Sequence, residues 1–504
     1  MNNTAKEQKS SLKILPQESQ LRITGPFVEA MRENPSQDLA MPRALRGLAK
    51  IIDGGLCHRC GSCIGICPTG VLALDEEEYP QIKNLSACTD CDLCVKVCPG
   101  DEFDFERTHK DFFAKESDIS STHGHFLEAF LSHSSDSFIQ NNSTSGGLVT
   151  DILLHLLESG QIDGAIVITS DEEQLWKGKP LVARSREQIL AAMKSKYAIS
   201  PTNSVFSEIR NIAGKYALVG LPCQIHGYHK AAALDARIKE RVVLTIGLFC
   251  HAAIEHEALR IVWESIDLEK RGQAVRFVSR IGKHPGTPHL ELKDGSFYPV
   301  YFSDKKGYRP SSMEIINIIY RLHTPERCLT CFDATAEFAD ISVGDPWMPP
   351  PAGHIDFYKG WSFAMARSER AAAVVRSLID NKKIIYESIT KKEALTCNRI
   401  MATEKRWRAF RIIETLRRQG KSIPAYGPHG YRLPSQSGMQ FLKTEIHMLT
   451  HIFCFLPSYR AAVLKFMLSN AGYGLLWLNN KRRTIKFWLR DTSSVVKRIL
   501  FGRR

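Results

Sequence analysis

Two closely spaced cysteine runs between residues 57 and 99 constrain this sequence more than any other feature. Each run has the pattern C-x2-C-x2-C-x3-C-P. The first run contains Cys57, Cys60, Cys63, Cys67 and Pro68, and the second contains Cys88, Cys91, Cys94, Cys98 and Pro99. Two-residue gaps let a tight loop place three thiolates around one face of a metal cluster. Because the proline after the fourth cysteine fixes φ, it turns the chain away at that point. The pattern predicts two iron–sulfur clusters.

The fourth cysteine of each run is expected to bind the cluster of the other run, as in two-cluster bacterial ferredoxins. Cluster one would then be held by Cys57, Cys60, Cys63 and Cys98, and cluster two by Cys88, Cys91, Cys94 and Cys67. Between the runs, residues 71–74 and 80–82 have the pattern of a small hairpin. The sequence therefore predicts a bacterial-type dicluster ferredoxin domain with two 4Fe–4S clusters over residues 51–105.

Zinc sites and disulfides also use paired cysteines, and both alternatives fit this pattern poorly. A zinc site needs four ligands and has no use for a triplet plus a remote Cys-Pro, repeated twice. Disulfides are typical of secreted proteins, and the polar residues 1–21 contain no visible signal peptide. We therefore favour iron–sulfur clusters over both.

The size and composition of the chain indicate a multidomain globular protein. A chain of 504 residues is too long for a single core, so about three domains are expected. The contents of 43% hydrophobic and 24% charged residues are those of an ordinary globular protein. Since no run of 18 apolar residues occurs, we expect a cytoplasmic protein without a spanning helix.

The net charge of +13 is concentrated near the carboxyl terminus. Residues 440–504 hold twelve Lys or Arg residues against Glu445 and Asp491, a net charge of +10. Apolar and aromatic residues are interleaved with these bases, which suits the interface of an anionic membrane. A helical lid packed on the core and a docking site for a partner subunit remain alternatives to this peripheral membrane contact.

A second unit begins near residue 138 with a glycine turn that opens a helix. Ser145, Gly146 and Gly147 precede apolar positions at helical spacing over residues 148–157, and residues 163–169 resemble a buried strand. Free N–H groups at such a helix start suit a phosphate. The turn alone fits a plain N-cap equally well.

Four cysteines outside the ferredoxin runs indicate a further site. Two successive strands end in Cys223 and Cys250, so parallel pairing would bring both thiols to one edge of a sheet, where α/β folds bind ligands. Cys328 and Cys331 form a C-x2-C pair. A third cluster and ordinary buried cysteines remain alternatives here. For Cys397 and Cys454 we expect simple burial.

Seven short motifs in order resemble one family. They are Ser145-Gly-Gly, Asp163-Gly-Ala, Ser195-Lys-Tyr, Gly220-Leu-Pro-Cys223, Gly247-Leu-Phe-Cys250, Cys328-x2-Cys331-x-Asp333 and Ala339-Asp-Ile-Ser-Val-Gly-Asp345. Together they resemble the beta subunit of coenzyme F420 hydrogenase/dehydrogenase, over roughly residues 50 to 375. The ferredoxin domain in front makes the chain similar to subunits that oxidise the reduced deazaflavin.

The resemblance implies an iron–sulfur flavoprotein with FAD in the α/β core. The cofactor or substrate cleft would be lined by Ser145, Gly146, Gly147, Thr150, Lys196, Tyr197 and Ser200. A third 4Fe–4S cluster would be held by Cys223, Cys250, Cys328 and Cys331. The resemblance fixes no catalytic residue, and Lys196 and Asp345 are the only candidates. The implied partners are a small-molecule hydride donor or acceptor and a ferredoxin or redox partner subunit.

The expected fold is an α/β core with a mixed sheet and flanking helices, preceded by the ferredoxin domain and followed by a helical tail. We expect an extension over 1–50, the ferredoxin domain over 51–105, the flavin or substrate region over 138–204, the second α/β region over 205–375, and a basic, mostly helical tail over 376–504. A Ser/His-rich linker with a helix over 126–131 would join the first domains.

Three classes of function are compatible with these features. The first is an oxidoreductase that moves electrons between a hydride donor or acceptor, such as a deazaflavin, and ferredoxin or a partner. Other substrates of the same core would be a chlorophyll-type ring or a saccharide precursor. The second is a non-catalytic electron-transfer or docking subunit, which would need no flavin pocket. The third is a nucleic-acid protein; no nucleic-acid module is recognisable, so we expect no nucleic-acid partner.

Overall fold

The computed structural model describes residues 41–116, 121–282, 286–300, 312–427, 438–478 and 481. Most of the predicted extension over 1–50 lies outside these residues. The same holds for the basic segment that follows residue 481.

The strands and helices of the described residues are numbered in chain order. The strands are β1 (Leu72–Leu74), β2 (Pro80–Ile82), β3 (Glu128–Ser134), β4 (Gly164–Ser170), β5 (Gly178–Ala183), β6 (Tyr216–Gly220), β7 (Val242–Leu248), β8 (Ala274–Ile281), β9 (Thr287–Leu292), β10 (Phe297–Pro299), β11 (Ile341–Gly344), β12 (Ser362–Ala366) and β13 (Ile384–Ser388). The helices are α1 (Arg43–Asp53), α2 (Ser62–Ile66), α3 (Leu93–Lys96), α4 (Phe105–Phe113), α5 (Ser137–Asn142), α6 (Leu148–Glu158), α7 (Arg186–Ala191), α8 (Phe206–Asn211), α9 (Pro222–Leu234), α10 (Ala236–Arg241), α11 (His256–Glu264), α12 (Leu268–Gln273), α13 (Ser312–His323), α14 (Glu326–Leu329), α15 (Glu369–Asp380), α16 (Lys391–Thr396), α17 (Arg399–Arg418), α18 (Gly438–Leu449) and α19 (Pro457–Met467).

An eight-stranded mixed sheet forms the centre of the molecule, in the order β13-β3-β12-β11-β7-β6-β4-β5. The four strands β11, β7, β6 and β4 run parallel, and the pairs toward both edges are antiparallel. The carboxyl ends of the four parallel strands therefore lie along one edge. The predicted mixed sheet with flanking helices is confirmed, and β6 and β7 have the predicted parallel pairing.

Helices cover both faces of this sheet because successive strand residues point to opposite sides. In β4, Ala165 and Val167 contribute to the core formed with α6 and α15, whereas Ile166 faces the core formed with α9 and α17. Helix α6 is buried along most of its length. The continuous apolar character of these strands follows from burial on both sides.

The cysteine runs belong to a small domain in which α1 packs against the β1–β2 hairpin. Leu45, Leu48 and Ile52 of α1 share a core with Val71 and Leu72. Strands β1 and β2 pair antiparallel, so the hairpin expected between the runs is confirmed.

A second, three-stranded sheet of β8, β9 and β10 is antiparallel throughout. Asp294 and Gly295 lie in the β9–β10 turn, and Gly295 has φ +80°, which favours glycine. Helices α11, α13 and α19 share a core with this sheet. The carboxyl-terminal helices of the described part are therefore packed on the protein.

One local prediction is wrong because tertiary pairing overrides local pattern. Residues 128–134 form β3 between β12 and β13, and not the helix predicted over 126–131. The main sheet extends through β13 at 384–388, beyond the boundary predicted at 375. The predicted tail therefore begins inside the α/β unit.

No single helix of the described residues is long and apolar enough to cross a membrane. One bent pair of helices, Pro457–Met467 with Asn470–Leu478, passes the test for a membrane span by length and composition only. The angle between its two helices is 80°.

Candidate functional site

The two cysteine loops have matching backbone conformations. In both, the residues on either side of the second cysteine have positive φ: Arg59 and Gly61 in the first loop, and Asp90 and Asp92 in the second. Successive turns of this kind direct backbone N–H groups into a concave space that favours anions. The two runs share the same cysteine spacing, and their loops have the same backbone conformation around the second cysteine.

The structure brings the eight cysteines together as two groups of four. Burial raises the pKa of Cys57 to about 12, and the next contribution comes from Cys98 of the other run. Burial, and then Cys91, Cys67 and Cys88, raise the pKa of Cys94 to about 12. Each group therefore contains three cysteines of one run and the fourth of the other.

These groups have the donor chemistry of cluster sites. Several buried thiols that raise one another's pKa are costly to ionise unless a strong positive charge is bound among them. In the described part of the chain, no three His, Cys, Asp or Glu side chains form a site for a single metal ion. Each group has four thiols, which is the number of protein ligands of a 4Fe–4S cubane, so the groups fit that cofactor.

A third group of four thiols lies at the carboxyl edge of the main sheet. Cys223 opens α9 after β6, Cys250 follows β7, and Cys328 and Cys331 lie in and just after α14. The pKa of Cys223 is raised well above its ordinary value by burial, then by Cys60, Cys328, Cys250 and Cys331. The predicted set is therefore gathered in one place, next to Cys60 of the first loop.

Two buried cations of α17 border this third group. Lys405 and Arg408 are 2% and 0% exposed. Lys405 Nζ donates to the carbonyl oxygens of Cys250 and Asp333, at 2.7 and 2.6 Å. The sequence pattern alone predicts α17 only as a basic helix. The sequence signal for their burial is that basic and apolar residues are interspersed along this helix, so some bases share its buried side.

A cavity of about 390 Å³ opens at the same edge of the sheet, between the ends of β4, β6, β7 and β11 and the start of α6. Seven residues named from the sequence line it: Ser145, Gly147, Thr150, Lys196, Tyr197, Ser200 and Asp345. Cys250 also lines it, so the cavity and the third thiol group share a wall. Gly146 is not among the lining residues. A Cβ there would lie 2.3 Å from the Ser132 carbonyl oxygen, so this glycine allows close backbone packing.

Hydrogen bonds join the glycine turn to the Ser195-Lys196-Tyr197 segment. The N–H of Ser195 donates to Thr144 Oγ1 at 2.8 Å. The N–H of Gly146 donates to Ser362 Oγ at 3.0 Å, and Ser145 Oγ donates to the Trp361 carbonyl. Two motifs separated by 50 residues therefore form one wall of the cavity.

The polar lining of the cavity carries more positive than negative charge. Lys194, Lys196 and Arg280 contribute cations, and the carboxylate of Asp345 lies 2.7 Å from Arg280 Nη1. Burial, and then Arg276, lowers the pKa of Lys196 to about 7. Its Nζ donates to the carbonyls of Ala192 and Met193. The cavity is thus suited to an anionic ligand, since an added negative charge would stabilise the ammonium form of Lys196.

The ferredoxin domain is fixed to the α/β unit next to the third thiol group. Asn203 donates from its backbone to the Cys60 carbonyl at 2.9 Å and from Nδ2 to Ser62 Oγ at 2.9 Å and the Gln224 carbonyl at 2.8 Å. A Cβ on Gly65 would lie 2.2 Å from the Asn203 carbonyl oxygen. The two units are therefore in direct backbone contact.

Comparison with known proteins gives the same assignment for most of the chain. Residues 129–207 and 213–392 match the N-terminal and C-terminal parts of the coenzyme F420 hydrogenase/dehydrogenase beta subunit, and residues 49–99 match a 4Fe–4S dicluster domain. The coenzyme F420-dependent sulfite reductase of Methanocaldococcus jannaschii is 27% identical over 72% of this chain and 52% of its own length. The chain therefore spans about half of that relative.

Two further relatives belong to larger assemblies. A subunit of the F(420)H(2) dehydrogenase of Methanosarcina mazei is 25% identical over 64% of this chain and 82% of its own length. A chain of the F420-reducing NiFe hydrogenase complex of Methanosarcina barkeri has a TM-score of 0.49 and 23% identity, over 63% of this chain and 100% of its own. On the family matches, the chain is a member of the coenzyme F420 hydrogenase/dehydrogenase beta-subunit family of oxidoreductases, with a 4Fe–4S dicluster domain in front.

Proposed function

We propose that the chain is an iron–sulfur flavoprotein that exchanges hydride with a small molecule in the 390 Å³ cavity and moves the electrons to or from a protein partner. The observation that carries this proposal is the position of Cys250. It lines the cavity and also belongs to the third thiol group, which lies beside the first cluster loop. A flavin, when bound, couples hydride exchange to single-electron transfer.

We propose FAD as the cofactor of this cavity. The first turn of α6 borders the cavity through Leu148, Val149 and Thr150, so its free N–H groups are available to a phosphate. Lys194 and Lys196, which also line the cavity, add positive charge. The apolar ends of the parallel strands provide the surface on which a flat ring system could pack.

The three thiol groups support a path for electrons. We assign Cys223, Cys250, Cys328 and Cys331 to a third 4Fe–4S cluster, with cluster one next in line. The pKa of Cys63 in the first loop is raised by burial, by its own group and by Cys94 of the second. Cluster two would therefore be the last site before the surface.

The outer end of this path is accessible to a partner. Cys91 is the exposed cysteine of the second loop. A 4Fe–4S site near the surface suits single-electron exchange with ferredoxin or with a redox partner subunit. The relatives that are subunits of larger complexes are consistent with the second of these partners.

Reduced coenzyme F420 is the hydride donor that we propose, because the named relatives act on this coenzyme. A chlorophyll-type ring or a saccharide precursor would use the same core. A purely electron-conducting subunit would need no ligand cavity beside its clusters, so the 390 Å³ cavity favours an enzyme.

The carboxyl-terminal helices support a peripheral contact with an anionic membrane. Leu464, Leu468 and Leu476 are buried against the core, as expected for a lid. Large apolar side chains remain exposed on the outer side: Phe441, Leu442, Ile446, Leu449, Tyr459, Phe466, Leu475, Trp477 and Leu478. If the protein does not sediment with anionic vesicles at low salt, the membrane contact is wrong.

The cavity proposal is tested by anaerobic purification followed by flavin and iron analysis. The expected result is one FAD per chain, reduced by reduced F420 and not by NADH. Lys196→Met should weaken FAD retention, whereas Lys179→Met, a change at an exposed lysine, should leave it unchanged. Protein that holds iron but no flavin, with or without added FAD, would contradict the proposal.

A further inference from the structure

We propose that Lys405 and Arg408 of α17 are positioning residues that compensate the negative charge of the cluster at Cys223, Cys250, Cys328 and Cys331 and raise its reduction potential. The inference rests on the third cluster of the proposed function. It goes beyond that function because it assigns a role to residues that follow the family match, which ends at residue 392.

Arg408 is buried without the partners that such a group requires. Its side chain is fully enclosed. Its Nη1 lies 3.3 Å from His251 Nε2, while Nε and Nη2 have no hydrogen-bond partner among the residues that the structure describes. No carboxylate of the described residues lies within ion-pair distance of Arg408 or Lys405. An isolated buried cation is very costly, so a bound anion is the expected counterpart.

The thiol group is the source of negative charge that both cations face. Burial lowers the pKa of Lys405, but Cys331, Cys250, Asp333 and Cys328 outweigh burial and hold it above the ordinary value. Burial lowers the pKa of Arg408, and Cys328 is the largest opposing contribution. The carboxylate of Asp333 is itself engaged by His226 at 3.0 Å. Asp333 therefore adds to the counter-charge of Lys405, whereas the thiols are the counter-charge that both cations share.

Helix α17 holds the two cations in place through an apolar contact and through hydrogen bonds. Leu329, next to Cys328, shares a small core with Ile412 and Cys454. The two backbone hydrogen bonds of Lys405 fix its ammonium against the loops that carry Cys250 and Cys331. The charges therefore have defined positions relative to the four ligands.

Fixed positive charge next to a cluster favours its reduced form. A cluster with four thiolate ligands is an anion, and one added electron makes it more negative. A nearby cation in a low-dielectric interior stabilises the more negative form more strongly. Net charge and hydrogen bonds to the sulfurs are among the factors that set cluster potentials. Removal of Arg408 or Lys405 should therefore make the cluster harder to reduce.

The test is a redox titration of the full chain, followed by electron paramagnetic resonance, with iron analysis of each sample. We compare Arg408→Met, Lys405→Met, the charge-retaining Arg408→Lys, and Arg417→Met as an exposed control on the same helix. At the wild-type midpoint of the third cluster, Arg408→Met should shift the ratio of oxidised to reduced form at least about tenfold toward oxidised, about 59 mV for a one-electron couple. Arg408→Lys keeps the positive charge, so its midpoint should stay close to that of the wild type.

The outcomes separate this inference from the proposed function. Wild-type protein with about eight irons and no third signal would reject the third cluster itself. A third cluster whose midpoint is the same in Arg408→Met, Lys405→Met and Arg417→Met would overturn the role of the cations alone. Loss of about four irons in Arg408→Met that Arg408→Lys recovers supports the role of charge. Loss in both variants would show that side-chain shape matters instead.

Discussion

Arg59 and Glu255 form a buried ion pair across the boundary between the first cluster loop and the α/β unit. Arg59 Nη2 lies 2.5 Å from Glu255 Oε2, and the two side chains are 1% and 10% exposed. Arg59 Nη1 also donates to the Glu77 carbonyl at 2.9 Å. Arg59 stands between Cys57 and Cys60, and Glu255 follows Cys250 by five residues. The pair therefore fixes the first cluster loop relative to the third thiol group.

Breaking this pair on one side should destabilise the junction. Glu255→Gln leaves the Arg59 guanidinium buried without a carboxylate, which typically costs about 3–5 kcal/mol. Anaerobic thermal unfolding, followed by the loss of iron–sulfur absorbance, should show a large drop in Tm. The control Arg184→Gln breaks the more exposed pair with Glu208 and should cost less than about 1 kcal/mol. Equal effects of the two changes would rule out a structural role for the buried pair.

The crossed arrangement of the dicluster ligands predicts an effect at a distance in sequence. Replacing Cys67 by Ser should damage the cluster held by Cys88, Cys91 and Cys94 and leave the cluster of the first run less affected. The measurement is electron paramagnetic resonance of the reduced protein, which separates the two clusters by their spectra. Selective damage to the cluster of Cys57, Cys60 and Cys63 would refute the crossing.

The third thiol group predicts an iron count. Reconstituted wild-type protein should contain about twelve irons per chain, and Cys328→Ser/Cys331→Ser should contain about eight. Cys397→Ser serves as the control because Cys397 is buried and no other cysteine contributes to its pKa shift, so this variant should keep the wild-type count. A count near eight in the wild type that does not change in the double variant would reject a cluster at this site.

Lys196 predicts a pH-dependent stability of the cofactor-free protein. Its pKa is lowered to about 7 by burial, then by Arg276, whereas an unfolded lysine titrates near 10.4. Between these values the unfolded chain holds a proton that the folded chain lacks, so this group's contribution to the free energy of unfolding rises with pH, at most by about 1.4 kcal/mol per unit. Below pH 7 the full penalty is present.

Lys196→Met removes this penalty. Its Tm advantage over wild type should be largest at pH 6 and shrink steadily from pH 7 to pH 9.5. Lys179→Met, at an exposed position, should show a difference that does not vary with pH. A pH-independent difference for Lys196→Met would mean that the lysine is charged throughout this range.

Much of the site could be predicted because short-range rules determine it. The spacing of the cysteine runs fixes the loops, and parallel pairing of β6 and β7 places Cys223 and Cys250 at one edge. The thiols of Cys328 and Cys331 lie next to those of Cys223 and Cys250 only because of the way α14 packs. Of the cleft residues named from the motifs, all but Gly146 line the cavity, and the small size of Gly146 serves backbone packing. The motifs did not identify Arg280 or Tyr320, which also line it.

The role of α17 and the edge of the sheet could not be predicted in this way. Whether Lys405 and Arg408 are solvated or buried depends on where a helix of 20 residues docks, and a basic helix is usually on the surface. Likewise, β3 and β13 pair across more than 240 residues, and such a contact leaves no local pattern. Both features depend on tertiary packing alone.

The central claim is that electrons pass between the cavity and the dicluster domain through the third thiol group. The most direct measurement mixes the FAD-loaded Cys328→Ser/Cys331→Ser variant with reduced F420 under anaerobic conditions and follows flavin absorbance and the cluster spectra together. In the variant, the flavin should be reduced while both clusters of the dicluster domain stay oxidised, although dithionite still reduces them. In the wild-type protein, the flavin and all three clusters should be reduced. Reduction of the dicluster domain by F420 at the wild-type rate in the variant would contradict the central claim.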